Sequence, residues 1–192
     1  EIFSNNRDRI SGSVSLGEVI NTDLCFISIN TPNKEDGTLF TDSIEKIILD
    51  ILALALEFNR TLHLVIRSTV NPGTCQKITD KARKFCEKEA KKLDAHIPIS
   101  ISSMPEFLRE GSAVKDFLIP DRLVIGARSE KAFSIMKEVY RPLFINETPI
   151  LNTSVETAEL IKYASNAFLA LKISYINEIA NLCEIVGADI HH

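Results

Sequence analysis

The sequence holds no paired cysteines, no long apolar run and no block of like charge, and each absence removes a class of protein. Its four cysteines, Cys25, Cys75, Cys86 and Cys183, stand singly in 192 residues. That spacing fits neither a zinc site nor a secreted disulfide framework, so no metal is expected and a cytoplasmic location is. The longest apolar stretch, Ile47 to Leu56, is broken by Asp50 and is far too short to cross a bilayer. Basic and acidic residues, 22 against 26, are mixed along the chain and leave a net charge of -4. No basic stripe recruits nucleic acid or a membrane surface, and neither partner is expected. Signal-peptide patterns, repeats and low-complexity segments are also missing. So is any Gly-x-Gly-x-x-Gly, the turn that cradles a pyrophosphate against a helix N-terminus.

What is present is an alternation of short apolar runs with longer amphipathic segments, the pattern of an α/β sheet with crossover helices. Strands are expected at Leu24 to Ile29, Leu62 to Arg67, Ile97 to Ile101 and Leu123 to Ile125. The unbroken apolar character of Leu62-His63-Leu64-Val65-Ile66 predicts parallel strands covered on both faces. Helices are expected at Asp42 to Asn59, Thr74 to Leu93 and Glu130 to Tyr140. From Ser154 to Val186 the spacing predicts one long helix, opened by a capping box of Thr153 with Glu156 and closed before Gly187. Such a helix spans roughly 50 Å at 1.5 Å per residue, more than one small domain. It is therefore expected to join two domains or to meet a partner chain, with a domain of residues 1–150 followed by the start of another at 151–192.

In a doubly wound sheet, ligands bind beyond the carboxyl ends of the strands. Three such ends carry small hydroxyl residues and a proline: Asn30-Thr31-Pro32, Ser68-Thr69-Val70-Asn71-Pro72-Gly73-Thr74, and Ser103-Met104-Pro105-Glu106-Phe107-Leu108-Arg109-Glu110-Gly111. Any one alone reads as an ordinary strand-ending turn. If Pro105 opens a helical turn, Glu106 and Glu110 share one face and can act as acid and base, although a solvated acidic helix start is the simpler reading. Lys162 and Asn166 repeat the four-residue spacing on the long helix. They could steady an oxyanion, or Lys162 could act as a base; the plainer alternative is a solvated surface lysine.

Taken together, Asp23-Leu24-Cys25-Phe26-Ile27-Ser28-Ile29-Asn30-Thr31-Pro32, Ser68-Thr69-Val70 with Pro72-Gly73-Thr74, Pro105-Glu106-Phe107-Leu108-Arg109-Glu110-Gly111-Ser112-Ala113, Pro120-Asp121-Arg122 and Ala158-Glu159-Leu160-Ile161-Lys162-Tyr163-Ala164-Ser165-Asn166-Ala167-Phe168-Leu169-Ala170 resemble the UDP-glucose and GDP-mannose dehydrogenase family across essentially the whole chain. The resemblance implies the carboxyl-terminal half of a Rossmann-type doubly wound sheet, followed by the first long helix of an all-α central domain. It implies oxidation of a nucleotide sugar at C6, alcohol to carboxylate, through a cysteine thioester with two NAD consumed. UDP-glucose is the first choice of substrate. By the same resemblance, Thr31 and Thr69 line the cofactor cleft, Thr69 also places water, and Glu110 sits at the nicotinamide end. Glu106 assists thioester hydrolysis, Lys162 and Asn166 hold the C6 oxygen, and Phe107, Leu108 and Arg109 lie along the sugar nucleotide. A homodimer through the long helix is expected.

The chain departs from the family pattern in what it lacks: the glycine-rich turn, the segment that presents the nucleophilic cysteine and the distal nucleotide-binding domain. It is expected to be an internal piece of a longer enzyme, inert alone and weak in binding NAD. Met104 stands where many relatives carry asparagine, which leaves UDP-N-acetylmannosamine and GDP-mannose as alternative substrates. A β-hydroxyacid dehydrogenase shares the lysine and asparagine pair, but the Pro-Glu-Phe-Leu segment argues against it. A non-catalytic relative that only dimerises is the reading from another class.

Overall fold

The computed structural model of the chain describes residues 5–93, 99–146 and 148–192. The main elements in chain order are β1 (Leu24–Ile27), α1 (Asp42–Glu57), β2 (His63–Ile66), α2 (Thr74–Leu93), β3 (Ser100–Ser103), α3 (Ala113–Leu118), β4 (Leu123–Gly126), α4 (Glu130–Val139), β5 (Ile150–Thr153) and α5 (Val155–Val186). Two 3-10 segments, Leu16–Asn21 and Arg141–Asn146, precede β1 and follow α4. The five strands form one sheet in sequential order. β1, β2 and β3 run parallel, as the apolar runs predict. β4 and β5 are parallel to each other, but β4 meets β3 antiparallel through the single pair Ser103 and Gly126. The sheet therefore reverses at its middle, which an apolar run cannot reveal because both orientations bury the same side chains.

Covering on both faces explains the unbroken apolar strands. Leu64 and Ile66 of β2 point to one face, packing with Ile44, Ile48, Ile51, Leu52, Ala55 and Leu56 of α1 and with Cys75, Ile78 and Ala82 of α2. Val65 points to the other face, beside Ile125, Met104 and Met136 and Tyr140 around α4. The i, i+3, i+4 spacing of the α1 residues presents one apolar stripe, and each fully buried side chain contributes roughly 1.5–3 kcal/mol.

Several expected boundaries shift. The third strand was expected at Ile97 to Ile101; it occupies Ser100–Ser103, and residues 97 and 98 lie outside the described residues. β5 and α3 were not expected. The long helix is capped by Ser154 rather than Thr153: Ser154 Oγ accepts from the Thr157 amide at 3.1 Å, while Thr153 is the last residue of β5. Glu156 turns outward to Arg128, 2.9 Å away, instead of closing a capping box. Gly187 ends the helix in the left-handed region at φ 72°, as its position predicts.

Cys25 and Cys183 are partly buried, whereas Cys75 and Cys86 are buried. Gly126 explains why α5 can start where it does. A Cβ there would stand 2.7 Å from Val155 Cα and 2.8 Å from Ala158 Cβ, so only glycine lets the helix lie against the end of β4.

Candidate active site

The carboxyl ends of β1 and β2 are tied together by hydroxyl groups. Ser68 Oγ accepts from the Ile29 amide at 2.9 Å and donates to the Ile29 carbonyl at 2.6 Å. Thr31 Oγ1 donates to the Thr69 carbonyl at 2.9 Å, so the structure brings Thr31 and Thr69 to one place. Both are half-buried and open at the strand ends.

The third strand end does not form the helical turn considered at Pro105. Residues 104–109 are irregular, a turn follows with Gly111 at φ 80°, and helix begins only at Ala113. Glu106 and Glu110 thus do not share a helix face, because the chain after Pro105 stays irregular and then turns, with helix starting only at Ala113. Glu110 is exposed on the turn. Glu106 Oε2 lies 3.4 Å from Arg67 Nε, an ion pair without hydrogen-bond geometry, since Arg67 Nε makes no hydrogen bond. Asp116 braces the loop by accepting from the Arg109 amide at 3.0 Å, the Arg109 guanidinium at 2.6 Å and Ser112 Oγ at 2.9 Å. The guanidinium hydrogen bond is the main reason the Asp116 carboxyl is held well below the usual carboxylate range. Arg109 is therefore committed to shaping the loop as well as facing outward from it.

Helix α5 climbs from Gly126 toward these strand ends. Lys162, only 8% exposed, donates to the Glu106 carbonyl and places its ammonium 5.3 Å from the Phe107 ring centre. Burial lowers the Lys162 pKa, partly offset by the Glu106 carboxylate. The solvated-surface reading of Lys162 fails on this burial. Asn166, one turn further on, is exposed and leaves the packed part of the helix. Beside the loop lies a cavity of about 370 Å³ walled by Arg67, Glu106, Phe107, Phe117, Arg122 and Tyr140. Arg67 stacks 5.5 Å from the Phe117 ring and Arg122 5.1 Å from the Phe107 ring, so cations and aromatic faces alternate around it.

Residues 2–144 match the NAD binding domain of the UDP-glucose/GDP-mannose dehydrogenase family, and residues 156–192 match that family's central domain. The chain belongs to this family. It is 42% identical over 177 residues to the UDP-glucose 6-dehydrogenase of Rickettsia bellii, covering 90% of this chain and 37% of that protein. The UDP-glucose dehydrogenase of Pyrobaculum islandicum superposes with a TM-score of 0.84 at 38% identity, over 97% of this chain and 41% of that one. The GDP-mannose dehydrogenase of Pseudomonas aeruginosa gives 0.84 at 33% identity, over 96% and 41%. The chain thus spans little more than a third of the curated relatives' length.

In this member of the family, Thr31 and Thr69 lie together just beyond the ends of β1 and β2. They do not supply a second phosphate cradle. The amide of Gly73, just before α2, and that of Cys75, in its first turn, already donate to Glu159 at 2.6 and 2.8 Å, so a resident carboxylate fills that N-terminus. Sequence reasoning did not single out Glu159, Tyr163 or Arg67. Tyr163 donates its hydroxyl to Asn71 Oδ1 in the β2–α2 turn. Arg67 sits directly after β2, and inspecting strand ends one residue earlier would have found it. Nothing in the spacing signals Glu159, whose partners lie 84 and 86 residues away.

Proposed function

We propose that the full-length protein is an NAD-dependent UDP-glucose 6-dehydrogenase that oxidises the sugar's C6 alcohol to a carboxylate in two NAD-linked steps through a cysteine thioester. The burial of Lys162 against the Glu106–Phe107 loop is the observation that carries this reading. A lysine held there can donate to an oxygen as it gains negative charge, in a site where the field is not screened by bulk water. Bound NAD would accept the hydride. Thr31 and Thr69 would line the cleft beside it, Thr69 would also place water, and Glu110 would lie toward the nicotinamide end. Glu106, next to Arg67, would assist thioester hydrolysis. Asn166 would join Lys162 at the C6 oxygen, and Phe107, Leu108 and Arg109 would follow the sugar nucleotide.

Cys75 and Cys86 do not suit the thioester. Both thiols are buried, and burial pushes their pKa values up, Cys75 further because Glu159 lies beside it. By the family resemblance the nucleophile would come from a glycine-rich segment that these 192 residues do not contain. Residues 1–150 would form part of the cofactor domain and 151–192 the start of a central helical one. Exposed Phe168, Leu171, Tyr175 and Leu182 on α5 support a homodimer through that helix. In a cytoplasmic setting the protein would use NAD and a UDP-sugar.

The test is a panel of UDP-glucose, GDP-mannose, UDP-N-acetylmannosamine and 3-hydroxyisobutyrate offered with NAD to the purified full-length protein. Two NADH formed per UDP-glucose supports the proposal. One NADH per substrate, or a preference for the hydroxyacid, refutes it.

A further inference from the structure

One face of α5 makes three separate links to the loops at the strand ends. Glu159, Lys162 and Tyr163 follow the i, i+3, i+4 spacing and so project together. Lys162 reaches the β3 loop at the Glu106 carbonyl. Glu159 and Tyr163 reach the β2–α2 turn, the segment that carries Thr69. Glu159 is 2% exposed, and its two carboxylate oxygens accept separately: Oε2 from Gly73 N at 2.6 Å and Oε1 from Cys75 N at 2.8 Å. These amides have no partner within their own helix, and a carboxylate at a helix N-terminus satisfies them with charge-assisted bonds. Two bonds from one planar group fix direction as well as distance. Gly73, at φ 86°, lets the turn bend toward α5.

We propose that Glu159 is a positioning residue that holds the Thr69 turn in register with Lys162, so that the groups on two different loops face one substrate. This rests on the dehydrogenase reading above. An amide in place of the carboxylate offers only one acceptor oxygen and turns an NH2 group against the other backbone N–H. Glu159→Gln therefore opens one prong of the tie while keeping the size of the side chain. The turn then moves relative to α5, and reaction geometry is more sensitive to such a shift than substrate affinity is.

The experiment uses the full-length protein and two readouts. In steady-state kinetics with UDP-glucose and NAD, Glu159→Gln is expected to lower kcat roughly tenfold to a hundredfold. KM for UDP-glucose should stay within about twofold. Glu159→Asp, which keeps both oxygens on a shorter arm, should recover part of kcat.

The second readout is hydrogen exchange of backbone amides along α2, located by mass spectrometry. The Gly73 and Cys75 amides form the tie, and the amides around Cys86 lie three turns further along the same helix. Local opening in Glu159→Gln should speed exchange at the tie about tenfold or more while the amides around Cys86 keep their wild-type rate. An unchanged kcat overturns the proposal. So does equal acceleration at both places, which marks general destabilisation. If the wild type oxidises no nucleotide sugar with NAD, the dehydrogenase reading fails by itself. The ratio of the two exchange rates then still decides whether Glu159 holds the turn.

Discussion

The two ends of α5 carry similar apolar spacing and meet opposite fates. From Val155 to Tyr163 the helix is seated on the sheet, with Val155, Ala158, Glu159 and Lys162 buried. From Phe168 to Val186 it projects beyond the strand ends, with Phe168, Leu169, Leu171, Ile173, Tyr175, Ile176, Leu182, Ile185 and Val186 exposed. The seated end is distinguished by polar groups that find partners: Glu159 with two amides and Lys162 with a carbonyl. An apolar stripe says that a face will be covered. Buried polar side chains with matched partners say by what, because leaving such a group unmatched costs far more than misplacing a leucine.

The seat can be broken most severely at its narrowest contact. Gly126→Ala puts a methyl group 2.7 Å from Val155 backbone, and backbone cannot rotate away as a side chain can. It should cost about 3 kcal/mol, at the upper end of overpacking, in denaturant unfolding of the chain. A loss below about 0.5 kcal/mol, in the range of an ordinary surface change, would mean that α5 is not seated on β4. Removing the cap is milder: Ser154→Ala should cost about 1 kcal/mol, whereas Thr153→Ala at the position first expected to cap should cost less.

A subtler difference concerns pH. Because burial lowers the Lys162 pKa in the fold, the unfolded chain binds more protons between that value and the ordinary lysine range, and wild-type stability rises with pH there. Lys162→Met lacks this gain, so its stability relative to wild type should fall as pH is raised. A constant difference between the two proteins across that range contradicts a buried, desolvated lysine. The smallest effect belongs to the projecting end. Phe168→Ser should change unfolding of the monomeric chain by no more than about 0.5 kcal/mol, and a larger loss would show that this face is packed.

Much of this was legible in the sequence, for identifiable reasons. α1, α2 and α4 follow from periodicity, and the long helix from its spacing and Gly187. That Thr31 and Thr69 come together follows from their places just after two strands that pair in parallel. The reversal between β3 and β4 was not legible because one residue pair carries it. The conformation after Pro105 depends on Asp116 gripping Arg109 seven residues away, a contact that local propensity does not encode. Lys162 was correctly placed on the helix, but whether it was solvated or buried depended on a loop 56 residues earlier.

In the proposed chemistry Lys162 acts on the reaction rather than on the fold, and steady-state kinetics of Lys162→Met in the full-length protein tests that most directly. Methionine preserves the length of the stem but leaves the Glu106 carbonyl without its donor, so a stability loss of about 1–3 kcal/mol is expected and kcat is compared on protein shown to be folded. Removing a donor to a developing oxyanion typically costs about 2.7 to 4 kcal/mol, so kcat should fall roughly a hundredfold to a thousandfold with KM little changed. An unchanged kcat in a normally folded variant would contradict the account.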